Sequence, residues 1–333
     1  MKIKITTIAF FLLSVTLLGC RPESKETANN NSAPLTVGYQ NSPISTLLMV
    51  AKTNGYFDST GVNVNLQSFT AGKFAVTALL AGKGLDLALS GELPIALAAM
   101  QGNKIRVITQ VVSTSSNECR IVAINDGKAN SIQSFFSTKR KIATSLKGTP
   151  EYFLEEFIKS NKLDRKKLEI VGMKPEDMTP ALLSKSVDAI CIFDPVASVA
   201  TEKLGKTALV LKDSNIYSAL YIVSALEKTI NERKPELIKF TKGLNMAAAF
   251  CKQHPDSAKA IVGQYTKLPK TIVNTLWGNY AFDLALTDKL DRYLTEESKW
   301  INQDKTTTIP DYRKQVINTT VLKEVAPSKV TLK

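Results

Sequence analysis

Ala78-Leu79-Leu80-Ala81-Gly82-Lys83-Gly84-Leu85-Asp86 runs through Leu87-Ala88-Leu89 into Ser90-Gly91-Glu92-Leu93-Pro94. Further on, Ala181-Leu182-Leu183-Ser184-Lys185-Ser186-Val187-Asp188 runs through Ala189-Ile190-Cys191-Ile192 into Phe193-Asp194-Pro195. Each copy reads as a helix end, a turn, an Asp and a short apolar strand. A short apolar run between turn residues is what a buried strand shows. Each strand then delivers an acid and a Pro to the place where its carboxyl end meets a helix. Pro is comfortable in a first helical turn, because its missing N–H would be unpaired there anyway. The repeat points to two successive α/β units, although two βαβ units can also look alike by pattern alone.

The elements around the first copy fit that reading. Residues 35–40 read as a strand, 44–55 as a helix stopped by Asn54-Gly55, and 62–69 as a strand. Residues 73–81 are a helix stopped by Gly82, 85–90 a strand, 93–101 a helix stopped by Gly102, and 105–112 a strand. This alternation predicts the α/β class, with a mostly parallel sheet flanked by helices. The pattern restarts with strands at 120–124, 141–144, 168–171, 188–193 and 208–211. Helices at 150–162, 177–184 and 196–204 alternate with them. Residues 220–224 read as one last strand. Beyond them 235–253, 257–265, 271–277 and 284–300 read as helices, and 309–312 opens a short final helix and tail. Such a helical tail must pack on something, and the first unit is the natural surface.

Composition narrows the function. The chain has 333 residues, room for one large or two medium domains. Apolar residues make up 44% and charged residues 22%, which fits a globular chain and not a disordered one. Four Cys are too few for a disulfide scaffold. A single His excludes a multi-His metal centre and makes any His-based triad depend on His254, in Gln253-His254-Pro255 at a helix end. Lys and Arg total 43 against 30 acids, a net charge of +13. The cations are scattered, with short clusters such as Lys139-Arg140-Lys141, so the surface reads as solvated and no nucleic-acid partner is expected.

The first residues are not fold. Lys2 and Lys4 precede an apolar stretch from Ile5 to Leu18. As a helix it would reach roughly 21 Å, short of the roughly 30 Å of a bilayer core. It reads as the h-region of a secretory signal peptide, residues 1–19. Leu17-Leu18-Gly19-Cys20 resembles the lipobox of bacterial lipoproteins, in which the Cys is lipidated. Residues 20–34 hold almost nothing apolar after Cys20 and read as a flexible tether. Together they imply a soluble domain held outside a bacterial membrane by a lipid anchor.

The rest of the chain resembles the solute-binding lipoproteins of bacterial ABC importers, in the nitrate, sulfonate, taurine and thiamine-precursor cluster. The carriers are Val37-Gly38-Tyr39, Asn54-Gly55-Tyr56-Phe57, Gly82-Lys83-Gly84-Leu85-Asp86 and Gly91-Glu92-Leu93-Pro94. In the second unit they are Lys147-Gly148-Thr149, Val187-Asp188-Ala189 and Phe193-Asp194-Pro195, and near the end Ile309-Pro310-Asp311-Tyr312. The resemblance implies a two-lobed periplasmic-binding-protein fold with an interlobe cleft. Lobe one would be 35–112 plus 220–333, including a helical C-terminal extension, and lobe two 113–219. The crossings near 113–118 and 217–224 would be the hinge. It also implies partners: a small-molecule solute, an ABC permease and its ATPase subunit. A monomer without cofactor or metal is expected, and not an enzyme.

In such sheets ligands sit beyond the carboxyl ends of the strands, where helix N-termini offer unpaired N–H groups. Ser42 and Gly72, with Gln40 and Ser90 near them, and Ser145 and Thr149 in the second unit, are the candidates to hold an anionic or accepting group. Each is equally a residue type that caps a helix or turn. Glu92 and Asp194 would repel a bare inorganic anion but accept from an amine or ring N–H. That favours an amino-bearing sulfonate or a pyrimidine-like solute over nitrate, though either acid could be a plain cap. Tyr39 and Phe193 are candidate aromatic walls, with core packing as the other role. Two further classes compete: an enzyme on the same fold related to pyrimidine-precursor synthesis, and a ligand-sensing lipoprotein without transport. The enzyme's Cys-rich motif is absent. Cys119 and Cys191 lie on or beside strands that could be neighbours, and buried free thiols are expected there.

Overall fold

The computed structural model describes residues 33–115, 118–125, 127, 129, 131–213, 216–303 and 306–332. The expected signal peptide, Cys20 and all but the end of the tether lie outside the described residues. The described strands are β1 (Leu35–Gln40), β2 (Val64–Phe69), β3 (Leu87–Gly91), β4 (Ile105–Thr114), β5 (Cys119–Ile124), β6 (Arg140–Thr144), β7 (Leu168–Gly172), β8 (Ala189–Phe193), β9 (Ala208–Leu211), β10 (Leu220–Leu226) and β11 (Tyr280–Ala285). They form two sheets, one in the order β11-β4-β10-β3-β1-β2 and the other β7-β6-β8-β5-β9. Each sheet is flanked by helices, an α/β arrangement of two sheets such as the resemblance implies.

Both sheets are mixed, which corrects the expectation of mostly parallel ones. β1 pairs in parallel with β2 and β3, but β10 lies between β3 and β4 and runs antiparallel to both. The cause is where the chain returns. Leu220 pairs with Ser113 at the carboxyl end of β4, and Leu226 with Ile105 at its start. A strand that enters from that end must run backwards. In the second sheet β5 arrives from the same end and is antiparallel to β8 and β9, while β6 pairs in parallel with β7 and β8.

A second correction concerns 280–300. Residues 220–224 are not the last strand, and the helix expected over 284–300 begins later, at Asp288, and ends at Ile301. Tyr280-Ala281-Phe282-Asp283-Leu284-Ala285 forms β11 on the free edge of β4. Its alternation of large and small or polar residues suits a strand, and a short apolar run is ambiguous until an unpaired edge is known to await it.

The two repeated acids do the same work. The N–H of Asp86 donates to Thr36 O at 2.9 Å, and its carboxylate takes the Thr36 N–H at 2.8 Å. Asp188 makes the same reciprocal pair with Lys141, at 2.8 and 2.7 Å. Each Asp therefore fastens the start of one strand to its neighbour, β3 to β1 and β8 to β6.

Each sheet has its own core. The helical tail packs on the first, as expected: Leu237, Phe240, Leu244 and Cys251 of the helix Glu227–Gln253 belong to it. Phe57 stacks on Phe240 with ring centroids 5.2 Å apart. A Cβ on Gly243 would stand 2.7 Å from the Phe57 ring, so only glycine allows that approach. The Glu227 helix starts before the expected Pro235, and the proline's effect survives as a kink at Arg233. The cores touch at a few points. Ala71, before the helix Gly72–Leu80, packs in the second core, and Tyr217 on the return crossing packs on both. No described helix is long and apolar enough to cross a membrane.

Candidate functional site

The carboxyl ends of β1, β2, β3 and β6 each feed a helix start. Ser42 is extended and leads into the short turn Pro43–Ser45, ahead of the helix Thr46–Thr53. Ala71 leads into Gly72–Leu80, Gly91 into Glu92–Met100, and Gly148 into Thr149–Ser160. None of the residues ahead of these starts caps them with its own side chain, although the Gln40 side chain takes the Gly72 N–H. Uncapped first turns keep N–H groups and a partial positive charge for something else.

Close contacts string these starts together. Gln40 Oε1 accepts from the Gly72 N–H at 3.3 Å, and the Ser42 N–H donates to Gln40 O at 2.8 Å. A Cβ on Gly72 would stand 2.7 Å from Ser90 Cα, so glycine is what lets this helix start lie on β3. A Cβ on Gly91 would stand 3.1 Å from Thr149 Oγ1, which belongs to the other sheet's helix. Lys73 Nζ also crosses, donating to Leu146 O at 2.8 Å. A Cβ on Gly148 would lie 3.6 Å from Lys73 Cδ and 3.2 Å from Ser145 O. Ser42 and Ser145 are each 1% exposed, and neither hydroxyl has a hydrogen-bond partner. An unmade bond of this kind costs about 1–3 kcal/mol. Ser42, Gly72, Ser90, Ser145 and Thr149 thus gather where the two sheets' helices meet, with Gln40 behind them. Ser90 is the one whose hydroxyl is occupied, by Gly91 O at 2.8 Å.

Lys73 escaped the sequence reading. Its position after Gly72 at a helix start was the available signal, but only the fold brings Leu146 to it. Burial lowers the Lys73 pKa, and Glu151 partly opposes this.

The acids occupy a neighbouring zone along the crossings between the sheets. Glu92 Oε1 accepts from the Leu220 N–H at 2.8 Å, and burial pushes this carboxyl up to about 7. Glu118 accepts from the Tyr221 hydroxyl, and burial pushes it up to about 8, with the charges of Asp194 and Glu92 adding. Asp194 Oδ1 takes Arg120, the Ser198 hydroxyl at 2.7 Å and the Ser198 N–H at 3.2 Å. Burial raises Asp194, and Arg120 opposes it. Glu297 Oε1 accepts from the Tyr217 hydroxyl at 3.1 Å, and burial followed by Glu92 raises it well above the carboxylate range. In all four the second oxygen is buried without a partner. Glu118 and Glu297 were missed. Glu297 sits in a strongly amphipathic helix, where an acid reads as solvent-facing until the packing is known.

Tyr39 is buried in the first core, and Phe193 in the second. Cys119, Cys191 and Cys251 are buried and free. Cys119 lies opposite Phe193 and Cys191 opposite Ile121, so the two thiols are out of register. Burial raises all three thiols, which disfavours a nucleophilic thiolate. His254 is exposed at a helix junction, its ring 5.0 Å from that of Phe250. Among the described residues no three His, Cys, Asp or Glu side chains are grouped to hold a metal ion.

A family model described as NMT1/THI5 like matches residues 42–258. A Bacillus subtilis (strain 168) protein named "Putative aliphatic sulfonates-binding protein" is 24% identical over 269 residues, 79% of each chain. The alkanesulfonate-binding protein SsuA from Xanthomonas axonopodis pv. citri, solved bound to MOPS, superposes with a TM-score of 0.71 at 16% identity, over 91% of this chain and 99% of that one. The periplasmic nitrate-binding protein NrtA from Synechocystis PCC 6803 gives 0.74 at 13% identity, over 90% and 89%.

Proposed function

The chain belongs to the NMT1/THI5-like family, and from that premise we propose that it is the extracytoplasmic solute-binding component of an ABC importer. It captures a small organic solute between its two sheets and delivers it to a membrane permease served by an ATPase. The carrying observation is the pair of buried hydroxyls, Ser42 and Ser145, left without partners at uncapped helix starts from different sheets. A ligand oxygen supplies what both lack. Sulfonate or another anionic group fits there, held by Ser42, Ser145, Thr149 and the helix start at Gly72, whose own N–H Gln40 holds, with Ser90 behind. The relatives bear on the ligand class through their names, which specify aliphatic sulfonates and nitrate.

An amino group on the same solute suits the unpartnered oxygens of Glu92 and Asp194. Asp194 already has Arg120 and Ser198 on its other oxygen, so it is chiefly Glu92 that a bare anion leaves unserved, and an amino-bearing sulfonate or a pyrimidine-like ring is favoured. Tyr39 and Phe193, buried in the two cores at the ends of β1 and β8, back the site from behind. Closure around the solute is the signal to the permease, with Lys73 and Leu146 as one of its clasps and the crossings at the end of β4 and over 217–224 as the hinge. The domain hangs from a membrane by lipid on Cys20. No turnover of the solute is expected.

A thermal-shift panel on the purified protein tests this, with taurine, alkanesulfonates, nitrate, bicarbonate, aminopyrimidines and amino acids. A ligand at 1,000 times its Kd adds about 4 kcal/mol, a shift of several degrees in a chain this size. We expect a selective shift from an amino-bearing compound, weakened about tenfold or more in affinity by Ser42→Ala or Ser145→Ala. A shift by nitrate or bicarbonate alone would discard the ligand class. Chemical conversion of the bound compound would discard the binding-protein reading.

A further inference from the structure

A cavity of about 510 Å³ lies between the helix Glu227–Gln253 and β11, at the edge of the first sheet. Its bordering residues fall at 245–255, 277–283 and 329. None comes from the second sheet or its helices, so this space is separate from the one between the sheets. Asn245, Ala248, Ala249 and Lys252 border it at i, i+3, i+4 and i+7, which is one face of the helix. Asn245 and Lys252 stand about 10 Å apart along the axis, with the two alanines between them. The other wall carries Trp277 and Phe282, both half-buried, with ring centroids 4.7 Å apart. Small side chains facing large rings leave a slot that a flat apolar body fills, and the volume is that of a small-molecule site.

The charges around the slot do not cancel. Asp283 is already served, by Lys329 Nζ and by the Leu284 N–H at 2.9 Å. Lys259 Nζ, 5.9 Å from the Trp277 centroid, pairs with Asp256 at 3.0 Å. Lys252 is exposed and has no acid partner among the described residues. One end of the slot therefore carries an uncompensated positive charge, which complements an anion.

We propose that this cavity is a second binding site, for a small arylalkyl carboxylate. Its ring lies between the alanines and the faces of Trp277 and Phe282, and its carboxylate accepts from Lys252 Nζ. Neither Ser42, Ser145 nor any of the buried acids takes part, so the site does not rest on the import reading.

The test is isothermal titration of the purified protein with sodium 3-phenylpropionate, against 3-phenylpropan-1-ol and sodium butyrate. We expect saturable one-to-one binding of phenylpropionate, and much weaker binding of the other two. The alcohol keeps the ring without the charge, and butyrate keeps the charge without the ring. Ala249→Phe, which sets a ring into the slot from an exposed helix position, should weaken phenylpropionate about tenfold or more. Lys252→Glu reverses an exposed charge, should weaken it about fivefold, and serves if the Phe protein does not fold. Ser145→Ala should leave this affinity unchanged. No saturable binding, equal binding of either control, or full affinity in the folded variants would overturn the proposal. So would a loss in Ser145→Ala, which would put the compound between the sheets.

Discussion

Glu92 and Glu118 show what a buried acid does when it keeps only part of its hydrogen bonding. Each holds one donor, the Leu220 N–H or the Tyr221 hydroxyl, and leaves its other oxygen bare. Burial then raises them to about 7 and about 8, from an ordinary 4.5. The folded state therefore holds these protons more tightly than the unfolded chain does. Their contribution to stability is whole below about 4.5 and is lost as pH rises through about 7 and 8. The lowered carboxyls, half-buried Glu227 and exposed Asp311, titrate below that window. We predict that the unfolding midpoint in urea falls between about pH 5 and pH 8, and that Glu118→Gln flattens the fall. A midpoint rising over that interval would contradict it.

At the scale of elements, the repeated Asp explains why each sheet's central strands start in register. Asp86 and Asp188 each exchange two bonds with a neighbouring strand, and the backbone half of each exchange survives truncation. Asp86 also faces Arg233 at 3.1 Å, and its side chain is 24% exposed against 44% for Asp188. Removing Asp86 strands an N–H and takes from Arg233 a closer partner than Asp188 is to Arg140 at 4.0 Å, although Arg233 keeps Glu236. We expect Asp86→Ala to cost about 2 kcal/mol and Asp188→Ala about half that, measured by urea unfolding. Equal or reversed costs would show that the Arg233 contact contributes nothing. The pattern Leu-Asp and Val-Asp before an apolar run made the acids legible. What they bond was not legible, because Thr36 and Lys141 lie far away in sequence.

The whole molecule is two cores joined by crossings and by a few contacts such as Lys73 to Leu146. If that contact helps hold the sheets together, Lys73→Met should loosen them. We expect a larger radius of gyration in solution scattering for the ligand-free variant, with the unfolding midpoint little changed. An unchanged radius would limit Lys73 to local packing. Near Ser42 and Ser145 the same substitution removes a positive charge, so any anionic ligand should also lose affinity.

The sequence by itself determined the α/β class, most element positions, the tail's place on the first core and the helix starts at Gly72 and Thr149. Those follow from local facts: hydrophobic period, turn residues and glycine stops act within a few residues. Only the tertiary structure decided the antiparallel place of β10, because that depends on the end from which a distant chain returns. It alone turned 280–285 into a strand, since the pattern was ambiguous until β4 offered an edge. It also decided which polar groups are left without partners. Ser42 and Ser145 carry ordinary cap residues, and Glu297 an ordinary surface acid, until packing removes water and supplies nothing in its place.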